Sequence, residues 1–255
     1  MMLTGEASTG GRLAWTFASL ASLLAVWWVA AAGLDSRYLP GPVEVFALML
    51  QEAVSGELLF HVGATLGRVA SAFAVAMLIG SAIGLAMGRG RLIDRMFDGW
   101  LMFFLNLPAL VTIVLCFIWF GLTEAATVLA VAINKIPNVA VTLREGARAL
   151  DREYEQLAKA YRFGKWKTLR HVWMPQLGPY IAAAARSGLA LIWKIVLVVE
   201  LLGRSNGVGF QIHLYFTLFD VAGILAYAVA FIIVVQLIEL FVLQPWQQAA
   251  TRWRQ

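Results

Sequence analysis

Five ionisable side chains stand inside apolar runs where hydrocarbon would be their solvent: Lys135, Arg186, Lys194, Glu200 and Glu239. A charge at that depth is costly, so such residues face a protein interior or a water-filled cavity and mark solute pathways. Three cations against two acids suit an anionic solute. Arg186 falls near the middle of its run; Lys194 lies about two turns further on, roughly 80° round the helix. Arg186, Lys194 and Glu200 are the candidate pathway residues. Plainer roles compete with this: Lys135 can snorkel, and Lys194 and Glu200 can pair with neighbouring helices.

Other chemistries lack their residues. No GxxxxGK[ST] loop occurs, so the chain by itself is not expected to hydrolyse ATP. Gly203-Arg204-Ser205-Asn206-Gly207-Val208-Gly209 is glycine-rich but follows an apolar run, and reads as a flexible turn. His61, His171 and His213 are isolated, with no HExxH and no cysteine partner, so neither a metal site nor a cofactor in this chain is expected. The single cysteine, Cys116, excludes an internal disulfide and reads as a core residue. With no catalytic constellation, transport is expected rather than enzymatic chemistry.

Composition dictates what must position these residues. Of 255 residues 61% are hydrophobic and 14% charged, and mean hydropathy is +0.76, outside the range of soluble domains. The net charge of +5 belongs to particular loops and does not imply nucleic acid. Apolar segments at 13–33, 64–88, 97–120, 122–142, 176–201 and 220–243 each approach the ~20 residues needed to cross a bilayer. The fold class expected is therefore an all-α integral membrane protein of six transmembrane helices, the third and fourth joined by a tight hairpin at Phe120-Gly121-Leu122-Thr123. Arg12, Arg89, Arg91, Arg95, the insert from Arg144 to Arg170, Arg252 and Arg254 fall on one side. Arg37 and Arg204 fall on the other, with Asp35, Glu44, Glu52, Glu57 and Glu124. The positive-inside rule places both termini and the insert in the cytoplasm. Residues 1–12 read as a cytoplasmic tail and 13–255 as one transmembrane domain. Ala30-Ala31-Ala32 resembles a signal-cleavage site, but Trp27 and Trp28 fit an interfacial anchor better.

Pro40-Gly41-Pro42 opens an amphipathic helix from Val43 to about Phe60, expected along the outer membrane surface as a linker or a substrate-facing element. Ala72, Ala76, Gly80, Gly84 and Gly88 recur at fourfold spacing, a stripe that lets two helix backbones approach closely. Arg68 reads as an interfacial anchor, with a gate as the other reading. Pro108 and Pro137 free carbonyls within spans, as static kinks or as bending points.

The densest polar stretch runs from Leu143 to Leu177. Tyr154, Leu157, Ala158 and Tyr161 share one helical face. Gly164 ends that helix, a second short helix spans about Lys165–Trp173, and Pro175 opens the next crossing. A basic elbow with a repeating apolar face reads as a docking surface for a partner protein.

On these residues the chain resembles the permease subunits of ABC importers, the six-span branch that moves nitrate, taurine, aliphatic sulfonates and bicarbonate. The elbow is similar to that family's EAA loop. Further matches are Thr65-Leu66-Gly67-Arg68-Val69, the Gly80/Gly84/Gly88 ladder, Ile136-Pro137 with Arg144-Glu145-Gly146, Trp166 to Pro175, and Val199-Glu200-Leu201-Leu202-Gly203 with Gly207-Val208-Gly209. The resemblance covers about 35–250. Aligned on Trp166 and Pro175, the family's usual Glu falls at Gln156 and its usual Gly at Arg162, with Ala158 on the second Ala and a glycine at Gly164 instead.

The resemblance implies a type I importer permease fold with cytoplasmic coupling helices between spans four and five, at about 144–174. It implies ATPase coupling through Gln156, Ala158, Tyr161, Arg162, Phe163, Gly164 and Trp166. It also implies a second copy of the chain, two ABC ATPase subunits holding ATP and Mg, a periplasmic or lipid-anchored binding protein, and the bacterial inner membrane. An ion-gradient-driven secondary transporter is the alternative, but it predicts an internal repeat with broken helices that the sequence does not show. A multi-pass membrane enzyme or assembly factor would need a polar cluster at membrane depth.

Overall fold

A computed structural model describes residues 9–34 and 38–245. Among them the structure is entirely helices and connecting turns: α1 Thr9–Leu34, α2 Pro42–Ser55, α3 Glu57–Arg89, α4 Arg91–Asn106, α5 Ala109–Phe120, α6 Glu124–Arg148, α7 Arg152–Ala160, α8 Lys165–Thr168, α9 Met174–Gly203, α10 Val208–Thr217 and α11 Val221–Ile238. Asp35, Arg37, Arg252, Arg254 and most of the 1–12 tail lie outside the described residues.

Four helical stretches, 57–89, 124–148, 165–203 and 221–242, are long and apolar enough to cross a membrane, and the bent pair α4–α5 makes a fifth. Ala18–Leu34 is a shorter apolar helix; the Nε1 of Trp27 near its end donates to the Pro40 carbonyl at 3.1 Å. The expected third span at 97–120 is not a single rod. α4 and α5 meet at 96°. Leu107 and Pro108 both take extended backbone: proline clashes with a helical residue before it and lacks the N–H a helix needs. The hairpin into α6 is built on Gly121 at φ +69, and the Thr123 side chain caps α6 by accepting the Ala126 N–H at 3.1 Å.

The helix opened by Pro42 stops earlier than expected. Gly56 at φ +88 ends α2 and begins α3, so Glu57–Phe60 belong to α3. α2 is pinned to α10 and α11 through Glu52, which accepts from Tyr227 Oη at 2.9 Å and Tyr215 Oη at 3.3 Å. Burial and the neighbouring Glu52 carboxylate push the Tyr215 phenol up to about 12.

α3 and α6 form the tightest pair. A Cβ at Gly80 would lie 2.6 Å from Val139 Cβ, one at Gly84 2.5 Å from the Ala140 carbonyl, and one at Gly88 2.5 Å from Ala147 Cβ. The stripe thus brings two backbones into contact over more than two turns. One core packs Val69, Ile113, Val131, Ile192, Val196 and Tyr227. A second, around Val139, Leu143, Leu150, Leu177 and Ala184, sits under the elbow. Lys165–Trp173 is not a separate helix. α8 runs through a π-helical turn at Leu169–Trp173 into α9 without a break; Pro175 lies within that rod, and the elbow turns at 161–164.

Candidate functional site

The elbow begins where α7 starts. The Asp151 side chain accepts the Glu153 N–H at 2.8 Å, and the Asp151 N–H donates to Gln176 Oε1 at 2.9 Å, tying α7 to the root of α9. Glu155 pairs with Arg89 at the end of α3, and the Arg89 guanidinium lies 4.9 Å above the Trp173 ring. Glu155, one position before the aligned Gln156, thus makes the carboxylate contact, while Gln156 points to solvent.

The four residues expected on one face divide. Ala158 is buried; Tyr154, Leu157 and Tyr161 point outward, as does Trp166, each more than half exposed. Arg162 and Gly164 are exposed, and Phe163 is half-buried beneath Lys167, whose Nζ is 4.4 Å from its ring centroid. Arg162 has φ +49. The left-handed residue of the turn is therefore the position where the resembling family has glycine. Gly164 has φ −68, and a Cβ there would meet nothing within 4 Å.

At the opposite end of the spans lies a cluster that sequence reasoning did not assemble. Glu200 is completely enclosed. It accepts from Arg68 Nη1 at 2.7 Å, Thr65 Oγ1 at 2.9 Å and the Gly209 N–H at 2.9 Å. Arg68, expected at an interface, is 5% exposed. It forks onto Glu124 at 2.7 and 2.9 Å and donates to the Asn206 carbonyl at 2.8 Å and to the Asn206 side chain. Arg204 closes the ring by donating to Glu124 at 2.5 Å and to the Leu122 carbonyl. His61 Nδ1 accepts the Gly207 N–H at 2.9 Å, and Thr65 Oγ1 accepts the Val208 N–H at 2.9 Å. The other ring nitrogen of His61, Nε2, lies 2.6 Å from Gln211 Nε2 and 3.4 Å from Glu57.

The 203–209 stretch is therefore a pinned turn and not a loose one. Gly207 has φ +110, and a Cβ there would run into the Glu200 carboxylate. The available signal was a run of backbone N–H groups that needed acceptors; the acceptors come from positions more than 130 residues away.

The other charged residues within spans sit elsewhere. Arg186, Ser187, Leu191, Lys194 and Val198 form a continuous stripe along α9 that is exposed among the described residues. Arg186 lies 3.6 Å from Glu239 in the π-helical turn after α11. Lys135 is 2% exposed. A Cβ at Gly188 would lie 2.8 Å from its Cε and 3.6 Å from its Nζ. It makes no hydrogen bond or ion pair with the described residues. Glu200 is thus separated from the α9 stripe that carries Arg186 and Lys194, and Lys135 borders that stripe from within the α6–α9 seam. No grouping of three or more His, Cys, Asp or Glu suited to a metal occurs among the described residues.

An all-helical membrane chain with a polar elbow between two spans and a small-residue helix seam is the architecture of a transport permease, and the comparisons agree. Residues 76–249 match the family described as "Binding-protein-dependent transport system inner membrane component". The chain belongs to that family and is a permease subunit of an ABC transporter. It is 27% identical to the taurine transport system permease protein TauC of Escherichia coli K12, over 76% of this chain and 74% of that one. It is 29% identical to the putative aliphatic sulfonates transport permease protein SsuC of the same organism, over 74% and 72%. It is 26% identical to the bicarbonate transport system permease protein CmpB of Synechococcus elongatus, over 76% and 74%. Its fold is similar to the MetNI methionine ABC transporter in an inward-facing state (TM-score 0.62, 17% identity, covering 73% of this chain and 92% of that one). It is also similar to an amino acid ABC transporter crystallised with histidines (TM-score 0.60, 20% identity, 78% and 96%).

Proposed function

We propose that this permease carries a small anionic solute, of the sulfonate or bicarbonate kind, delivered by a binding protein and driven by a cytoplasmic ATPase that grips the elbow. The cargo reading is supported by the relatives named for taurine, aliphatic sulfonates and bicarbonate. Lys135, Arg186 and Lys194 lie on or beside one uncovered stripe of α9. Two copies facing each other across that stripe would enclose a cationic path, with both termini and the elbow on the cytoplasmic side, as the distribution of Arg and Lys favours.

The observation that carries the coupling reading is the outward aromatic face of the elbow on a rigid mount. Tyr154, Leu157, Tyr161 and Trp166 stand exposed. The Gln176–Asp151 and Arg89–Glu155 contacts fasten the same element to α9 and α3. Aromatic anchors of this kind dominate protein interfaces, and a rigid mount passes movement of the partner to the spans. ATP and Mg are held by that partner, and hydrolysis of the ATP resets the cycle. Glu200 and its ring lock the far end of α9 rather than line the path, so α9 is pushed at one end and anchored at the other. Coupling requires contacts that differ between the two states.

The test uses the complex reconstituted with its ATPase and binding protein. Tyr161→Ala with Trp166→Ala should abolish ATP-dependent uptake of an alkylsulfonate while the permease remains folded in the membrane. Full uptake by that variant would refute the docking surface, and uptake without ATP would favour an ion-gradient-driven carrier.

A further inference from the structure

Beside the elbow, between the cytoplasmic ends of α3 and α6 and the starts of α4 and α7, lies a polar cavity of about 700 Å³. Six cations line it against two acids. Both acids are already engaged: Asp94 by Arg148 at 2.6 Å, and Glu155 by Arg89. Arg91, Arg95, Arg152 and Lys159 are left with no hydrogen bond or ion pair to the described residues, a surplus of four positive charges around one opening. A solvated positive-inside loop would account for scattered basic residues, but not for a cavity whose own acids are spent.

A second hollow of about 280 Å³ adjoins it, lined wholly by apolar residues that include Phe97, Trp100, Phe104, Ile136 and Pro137. Met87 lines both. The bend at Pro108 creates this arrangement. It turns α4 at 96° to α5, so that Arg91 and Arg95 border the polar cavity while Phe97, Trp100 and Phe104, further along the same helix, line the apolar groove. A cationic chamber opening onto an oily groove across one methionine matches an amphiphile with an anionic head. We infer that an anionic phospholipid binds here, its phosphate among Arg91, Arg95, Arg152 and Lys159 and an acyl chain along Phe97, Trp100 and Phe104. Basic pockets between membrane helices are the setting in which such headgroups are held.

The experiment is native mass spectrometry of the purified full-length chain offered equal phosphatidylglycerol and phosphatidylcholine. The wild type should retain phosphatidylglycerol about tenfold over phosphatidylcholine. R91Q/R95Q should lower its retention about thirtyfold, the factor for two charges facing an anionic headgroup. Both arginines are exposed and unpaired, so the variant should fold; Trp100→Ala, in the groove, should weaken retention of the diacyl lipid by itself. Equal retention of the two lipids, or unchanged retention by R91Q/R95Q, would overturn the inference. Displacement by 10 mM inorganic phosphate with no effect of Trp100→Ala would reassign the chamber to a free anion. A lipid-free dimer that dissociates on Trp100→Ala would assign the groove to a second copy. Because lipid retention is read without cargo or ATPase, its failure leaves the transport reading standing.

Discussion

Arg68→Met tests how α9 is anchored. In the folded chain Arg68 forks onto Glu124 and reaches Glu200, which has no exposure at all. The substitution keeps the bulk of the side chain but leaves Glu200 with only Thr65 and the Gly209 N–H as donors. Removing one partner from a buried ion pair costs about 3–5 kcal/mol. For a chain of this size each kcal/mol moves Tm by about 2–4 °C, so the variant should melt roughly 6–20 °C lower. Glu200→Gln is the companion. It removes the charge but leaves Arg68 paired with Glu124, and should cost about half as much, the value of one charged hydrogen bond at about 1.5–3 kcal/mol. The assay is tryptophan fluorescence during a thermal scan of each purified protein in one detergent at one scan rate. A Tm for Arg68→Met within about 2 °C of wild type, or equal losses for the two variants, would show that the ring is not what holds the Gly203 end of α9.

Three further outcomes follow from the geometry. Gly84→Ala drives a Cβ to 2.5 Å from the Ala140 carbonyl whereas Gly67→Ala on the same helix meets nothing, so the first should cost about 1–3 kcal/mol and the second should be neutral by the same thermal scan. Arg162→Gly relieves a left-handed residue and should stabilise the isolated permease by up to about 1–2 kcal/mol, while Gly164→Ala should change nothing; the reverse order would place the strained residue of the elbow wrongly. Lys135→Met removes an unpaired buried ammonium, so Tm should rise while uptake of the anionic cargo by the reconstituted complex falls at least tenfold or so. A variant that transports normally would make Lys135 structural only.

What the sequence discloses and what it withholds divide along a physical line. Apolar runs, the small-residue stripe and the basic insert are local patterns, and each appears as a helix, a seam or an elbow near its expected place. The bend at Pro108 was marked by the proline but not by its size, which depends on Leu107 also leaving the helix. The π-helical turn that fuses α8 to α9 has no residue signature, so Pro175 suggested a boundary that the helix passes through. The largest shortfall concerns Arg68 and Glu200. Along the chain Arg68 reads as an interfacial anchor or a gate, and Glu200 as a pathway residue or a partner for some neighbouring helix, because a charge inside a span has few legible partners until the helices are assembled. Assembly places 132 positions of sequence within one 2.7 Å hydrogen bond. It leaves Lys135, whose surroundings supply no carboxylate, as the buried charge still in want of an anion. Arg68 and Glu200 answer each other across the helices, whereas Lys135 has no such partner among the described residues, which is why its replacement separates a structural charge from one that meets the proposed anion.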